Sequence, residues 1–66
     1  MSEAVQLIVN GYVSLKGRAA LEEMREHRQK LRRSLQQRAG GHFDLSETIR
    51  LCEQDIEVVE LGLARL

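Results

Sequence analysis

The feature that constrains this chain most is a run of apolar residues at heptad spacing in its last third. Leu45, Ile49, Cys52, Ile56, Val59, Leu63 and Leu66 follow one another at alternating intervals of four and three. On an α-helix that mean period of 3.5 keeps all of them on one stripe. A stripe of this kind is buried against another helix, because alone in water its whole apolar face would stay wet. The fold therefore has to supply a second helix, from this chain or from another.

Residues 19–38 meet that requirement. Leu21, Met24, Arg28, Leu31, Leu35 and Arg38 repeat the alternation, with two arginines interrupting an otherwise apolar seam. Folding the two stretches antiparallel sets Leu35 opposite Ile49, Leu31 opposite Cys52, Arg28 opposite Ile56, Met24 opposite Val59 and Leu21 opposite Leu63. One register fills every layer. Take Leu21, Arg28, Leu35, Ile49, Ile56 and Leu63 as a positions, and Met24, Leu31, Arg38, Cys52, Val59 and Leu66 as d positions. The flanks then agree with the core: Arg32 meets Glu53 and Arg25 meets Glu60 at e, while His27 meets Asp55 and Ser34 meets Thr48 at g. Exposed pairs contribute less than about 1 kcal/mol each, so they specify alignment more than stability. The charge distribution points the same way. Residues 18–38 carry seven basic side chains against three acidic ones, residues 44–66 six acidic against two basic, and the chain as a whole is neutral. An antiparallel αα-hairpin over about 19–38 and 45–66 is the predicted frame.

Local signals mark its joints. Gly40 and Gly41 within residues 39–43 stop one helix and permit the reversal. Phe43 is expected to pack over the hairpin end and His42 to face water. Asp44 or Ser46 is expected to cap the second helix, with Glu47 in capping-box position behind Asp44. Gly17 is expected to end the preceding segment as its C-cap. In that segment Val5, Ile8, Val9, Tyr12 and Leu15 sit at helical spacing, with Ser2 as an N-cap, which reads as a short N-terminal helix. The competing signal is Asn10-Gly11 between two apolar runs, which would make residues 4–16 a β-hairpin. A hairpin turning at 10–11 leaves both faces half apolar, so the helix is preferred, with Gly11 costing about 1 kcal/mol relative to Ala.

A chain of 66 residues makes one small domain that buries little surface, and such domains lean on disulfides, metals or oligomerisation. The single Cys52 excludes an intrachain disulfide, and two histidines without a second cysteine argue against structural zinc. Oligomerisation is the remaining device. Leu51, Val58 and Leu61 fall outside the two-helix seam, and the first segment has an apolar stripe of its own. That segment either covers the hairpin as a third helix or leaves it to pair with another hairpin in a bundle. Val5, Ile8, Tyr12, Leu51, Val58 and Leu61 are thus the candidate partner-interface residues.

Chemistry-bearing patterns are sparse. No Gly-rich phosphate loop, metal-ligand spacing or paired carboxylates in a cleft can be read, so the chain is expected to be no enzyme, with no catalytic, metal or cofactor residues. Cys52 is expected in the core as a small hydrophobe, and His27 beside Asp55 as a structural surface pair. Arg28, alone among apolar partners, is expected to extend its head to solvent, to reach Glu57 or Glu60, or to specify a partner's register. The basic run through 25–38 offers Lys30 and Arg33, both turned from the seam, as candidate phosphate contacts, although no aromatic lies among them for base stacking. No segment reads as a leader or as a membrane span, and a cytoplasmic location, or one within a viral particle, is expected.

These observations predict an all-α protein, a helical hairpin with a short first helix, dimerising into a bundle. Its expected work is assembly through protein–protein contact with itself or another protein, as an adaptor, structural subunit or small regulator, a bacteriophage particle component being one specific form. The alternative from another class is a nucleic-acid-binding regulator using helix 25–38.

Overall fold

In the computed structural model, which describes residues 3–38 and 44–66, three helices account for most of the described residues: α1 (Glu3–Ser14), α2 (Arg18–Arg38) and α3 (Ser46–Ala64). There is no strand among the described residues. The β-hairpin alternative for 4–16 is thereby overturned. Asn10-Gly11 lies inside α1, where Asn10 Oδ1 accepts a hydrogen bond from Gln6 Nε2 at 2.9 Å, one turn away. An amphipathic stripe with a core to bury it outweighs a two-residue turn signal. The anticipated N-cap at Ser2, the turn at 39–43 and the placing of His42 and Phe43 lie outside the described residues.

The join between α1 and α2 differs from expectation in which residue bears the unusual backbone. Lys16 occupies the left-handed region at φ 55°, not Gly17. Gly17 N–H donates to Tyr12 C=O at 2.8 Å and Lys16 N–H to Val13 C=O at 3.0 Å. This is the paired six-to-one and five-to-two bonding of a Schellman cap with Lys16 at its centre. Gly17 is used for close approach instead: a Cβ there would sit 3.3 Å from Tyr12 Cδ1. Its carbonyl also accepts the first bond of α2, from Leu21 N–H at 3.1 Å. One residue thus closes one helix and opens the next, and α2 begins at Arg18.

At the start of α3 the anticipated capping box is absent. Leu45 is the N-cap residue and makes no side-chain cap. Asp44 Oδ1 accepts from Ser46 N–H at 3.0 Å and Ser46 Oγ at 2.6 Å, while Glu47 turns forward to Arg50. A guanidinium within one turn competes for that carboxylate better than a single backbone N–H does.

The hairpin register stands. Arg32 faces Glu53 at 4.0 Å, and Arg28 reaches Asp55 at 3.5 Å. Cys52 Sγ donates to the Arg28 carbonyl at 3.1 Å. Asp55 therefore takes Arg28 rather than His27, whose Nδ1 lies 2.9 Å from Arg28 Nη1, and the anticipated reach of Arg28 to Glu57 or Glu60 does not occur. Among the described residues Arg25 and Glu60 form no ion pair. The core is Val5, Val9, Leu21, Val58, Val59 and Leu63, with Val13, Met24 and Leu66 packed against it. Leu21, Val9 and Val59 are fully buried. Full burial of such side chains stabilises the fold by about 1.5–3 kcal/mol apiece.

What lets α1 into this core is Gly62. A Cβ at Gly62 would lie 2.4 Å from Val9 Cγ1 and 3.5 Å from Val13 Cγ2, so only glycine permits the helices to approach this closely. One turn on, Arg65 Nη1 donates to Asn10 Oδ1 at 3.0 Å. Val9 beside Gly62 and Asn10 beside Arg65 mean that α1 runs parallel to α3. At a rise of about 1.5 Å per residue its 12 residues span about 18 Å. On the same rise the 21 residues of α2 span about 32 Å, so α1 covers little more than half of the hairpin.

Candidate functional site

The chemical candidates resolve first. Cys52 is buried, and burial, followed by the nearby Asp55 carboxylate, pushes its thiol up from its usual range. With its hydrogen donated to a backbone carbonyl it is a neutral core group. Among the described residues no cluster of three or more His, Cys, Asp or Glu could hold a metal ion, and no helix is long and apolar enough to cross a membrane. The concavities are open grooves. One of about 460 Å³ lies at the α1–α2 turn, lined by Val13, Lys16, Arg18, Arg65 and Leu66. Another, of about 430 Å³, runs between α1 and α2 past Ile8, Tyr12, Met24 and His27. Neither gathers a nucleophile with a base and an orienting group.

The basic helix is partly neutralised. Arg28 and Arg32 are engaged by acids of α3, and Lys30 Nζ lies 3.3 Å from Glu26 Oε1 one turn before it. Arg33 is exposed and has no acidic partner among the described residues. Of the two candidate phosphate contacts, only Arg33 has its charge uncompensated among the described residues, and residues 25–38 contain no aromatic.

The apolar candidates divide into two groups. Val5 and Val58 belong to the molecule's own core, where α1 meets α3. Ile8, Tyr12, Leu51 and Leu61 remain at the surface, Leu61 at 60% exposure on the outer side of α3. Leu31, expected in the seam opposite Cys52, is 42% exposed. The reason is geometric: a two-helix seam shields a d residue from its partner's side only, and a third helix must close the other side.

That third helix stops short. Ala20 and His27 at g positions of α2, and Gly62 at g of α3, face α1, so α1 lies along the g flank of the hairpin. Leu31 is one heptad after Met24, and Leu51 one heptad before Val58. Met24 and Val58 both pack in the core beside α1. Leu31 and Leu51 therefore project from the same flank, beyond the α1 end at Glu3. This bare half-flank joins the outer face of α1, where Leu7 is 69% and Ile8 48% exposed. Sequence reasoning overlooked Leu7, which lies off the stripe, and Gly62, whose signal was a small residue one turn from Val58 within an apolar helix. No protein-family model, curated protein or solved structure matches the chain.

Proposed function

We propose that this protein acts without catalysis, through protein–protein assembly, as an adaptor, a structural subunit or a small regulator. The observation that carries the reading is the half-covered flank: Leu31 and Leu51 lie bare on the hairpin where α1 ends, and Leu7 and Ile8 stand outward on α1. Monomeric proteins rarely leave contiguous apolar surface of more than a few hundred Å² to water. The engagement of Arg28, Lys30 and Arg32 by acids favours this over the nucleic-acid reading, because charges already compensated inside the molecule release fewer counterions on binding a phosphate backbone.

The experiment compares two sets of surface variants. Leu51→Glu and Leu7→Glu are expected to abolish complex formation with the protein's partner while helicity by circular dichroism is kept. Lys30→Ala with Arg33→Ala is expected to leave it unchanged. Binding of DNA or RNA at moderate salt that weakens steeply with added salt, and is lost in the Lys30/Arg33 double variant, would overturn the assembly reading.

A further inference from the structure

We propose that the bare half-flank is completed by a second copy of this chain, related by a two-fold axis and antiparallel, so that each copy's α1 lies on the other's uncovered hairpin segment. This rests on the assembly reading and names its partner.

Three independent observations support it. The first is length. Two α1 helices end to end span about 36 Å at 1.5 Å per residue, close to the roughly 32 Å of the 21-residue α2 flank they would jointly cover. In the pair, the α1 layer is sandwiched between two hairpins, each hairpin half facing one α1.

The second is the character of α1. Residues 4–15 carry no charged side chain. A helix exposed permanently on one side normally carries charge there. This one presents Leu7, Ile8 and Gly11 outward, and it can enter a second apolar surface without stripping water from an ion. Its counterpart is Leu31 with Leu51.

The third is charge. The Arg28–Asp55 ion pair sits on the boundary and compensates itself. Residues 29–38 and 44–54, the bare half, hold five basic and three acidic side chains, and residues 3–27 and 56–66, the covered half, four basic and six acidic, so the halves differ in sign, +2 against −2. An antiparallel pair lays the positive half of each copy on the negative half of the other, whereas a parallel pair lays like on like. Complementary fields of this kind select orientation. Because the same surface serves on both copies, the contact closes on itself and stops at two.

The test uses the full chain. Sedimentation equilibrium is expected to give the dimer mass, and Leu7→Glu or Leu51→Glu the monomer mass. Orientation is read by cross-linking in a Cys52→Ser background, where serine retains a donor for the Arg28 carbonyl. Chains carrying Leu7→Cys are mixed with chains carrying Leu51→Cys and oxidised. The mixed disulfide dimer is expected to predominate over either like-with-like product, and this result stands even where a glutamate variant fails to fold. Like-with-like products in excess, or a strict monomer up to about 100 μM, at which a dimer of micromolar affinity is populated, overturn the inference. A monomer leaves assembly with a different protein standing. Salt-sensitive nucleic-acid binding removes the broader reading whether or not the chain pairs with itself.

Discussion

The two halves of the hairpin share one seam and one register, yet they are packed differently. Under α1, Leu21, Val59 and Val9 are shut from solvent, and the polar rim is closed by Arg65 and Gln6 on Asn10. Toward the interhelix turn, Leu31 and Leu51 are open, Leu35 and Ile49 only half-buried, and Arg32 Nε and Gln54 Oε1 find no hydrogen-bond partner among the described residues. Two helices joined by a continuous heptad make a line of contact, whereas three make an enclosed volume. An interior needs atoms on every side before it approaches close packing. The contrast also separates the halves: one is closed by α1 and carries the enclosed core, and the other is left open to solvent.

The largest way to break that contrast is to truncate one seam residue in each half. Leu21→Ala should cost about 2–5 kcal/mol, while Leu31→Ala, measured at concentrations low enough to keep the chain monomeric, should cost less than about 1 kcal/mol. Since a domain this small rarely exceeds about 3–5 kcal/mol, the first variant should lose its cooperative urea transition by circular dichroism and the second should keep it. Next is Gly62→Ala. Helix propensity alone would stabilise it by about 1 kcal/mol, but the overlap with Val9 should outweigh that and leave a net loss of about 1–2 kcal/mol. Hydrogen exchange should localise the effect: amides of α1 exchange faster, those of the bare half do not.

Smaller effects sharpen the comparison at its edges. Lys16→Gly should stabilise the α1–α2 turn by about 1 kcal/mol, since it removes the Cβ penalty at φ 55°, and the thermal midpoint should rise. Cys52 predicts a pH dependence. Its folded thiol is raised above the unfolded value, so its contribution is complete below the ordinary thiol pKa of about 8.5 and is lost as pH rises through the folded one. Denaturation midpoints should fall above that pH and should not do so in Cys52→Ser. At the acid end, Asp44 is lowered by the Ser46 hydroxyl and backbone, and Glu47 by Arg50. Their contribution is present above the unfolded carboxylate range and lost as pH falls through the folded values. Both groups are fully exposed, so Asp44→Asn should flatten the acid limb of the stability curve only slightly.

Much of this could be read from residue spacing. The hairpin, its register, the burial of Cys52, Ile56, Val59 and Leu63, and the Arg32–Glu53 pair all follow from a periodicity that local geometry enforces. Less legible were the details that depend on which of several neighbours wins. Asp55 could take His27 or Arg28, and took the stronger cation; Glu47 could close a cap or pair with Arg50, and paired. The site was legible in kind, as surplus apolar surface beside the seam, but not in extent. Val5 and Val58 turned inward and Leu31 and Leu7 outward, because that division depends on where α1 stops and which way it runs.

The sequence by itself determined the two long helical segments, their antiparallel pairing and the incompleteness of that pair, since each is a matter of period and charge order along one chain; for residues 4–16 it favoured a helix over a hairpin without deciding between them. Only the tertiary structure decided that α1 lies parallel to α3 on the g flank, admitted by Gly62, and that it covers one half of the hairpin and leaves the other bare. Which face a short third helix chooses depends on close approach between residues 53 apart, Val9 and Gly62, and a contact at that distance leaves no period in the sequence to be read.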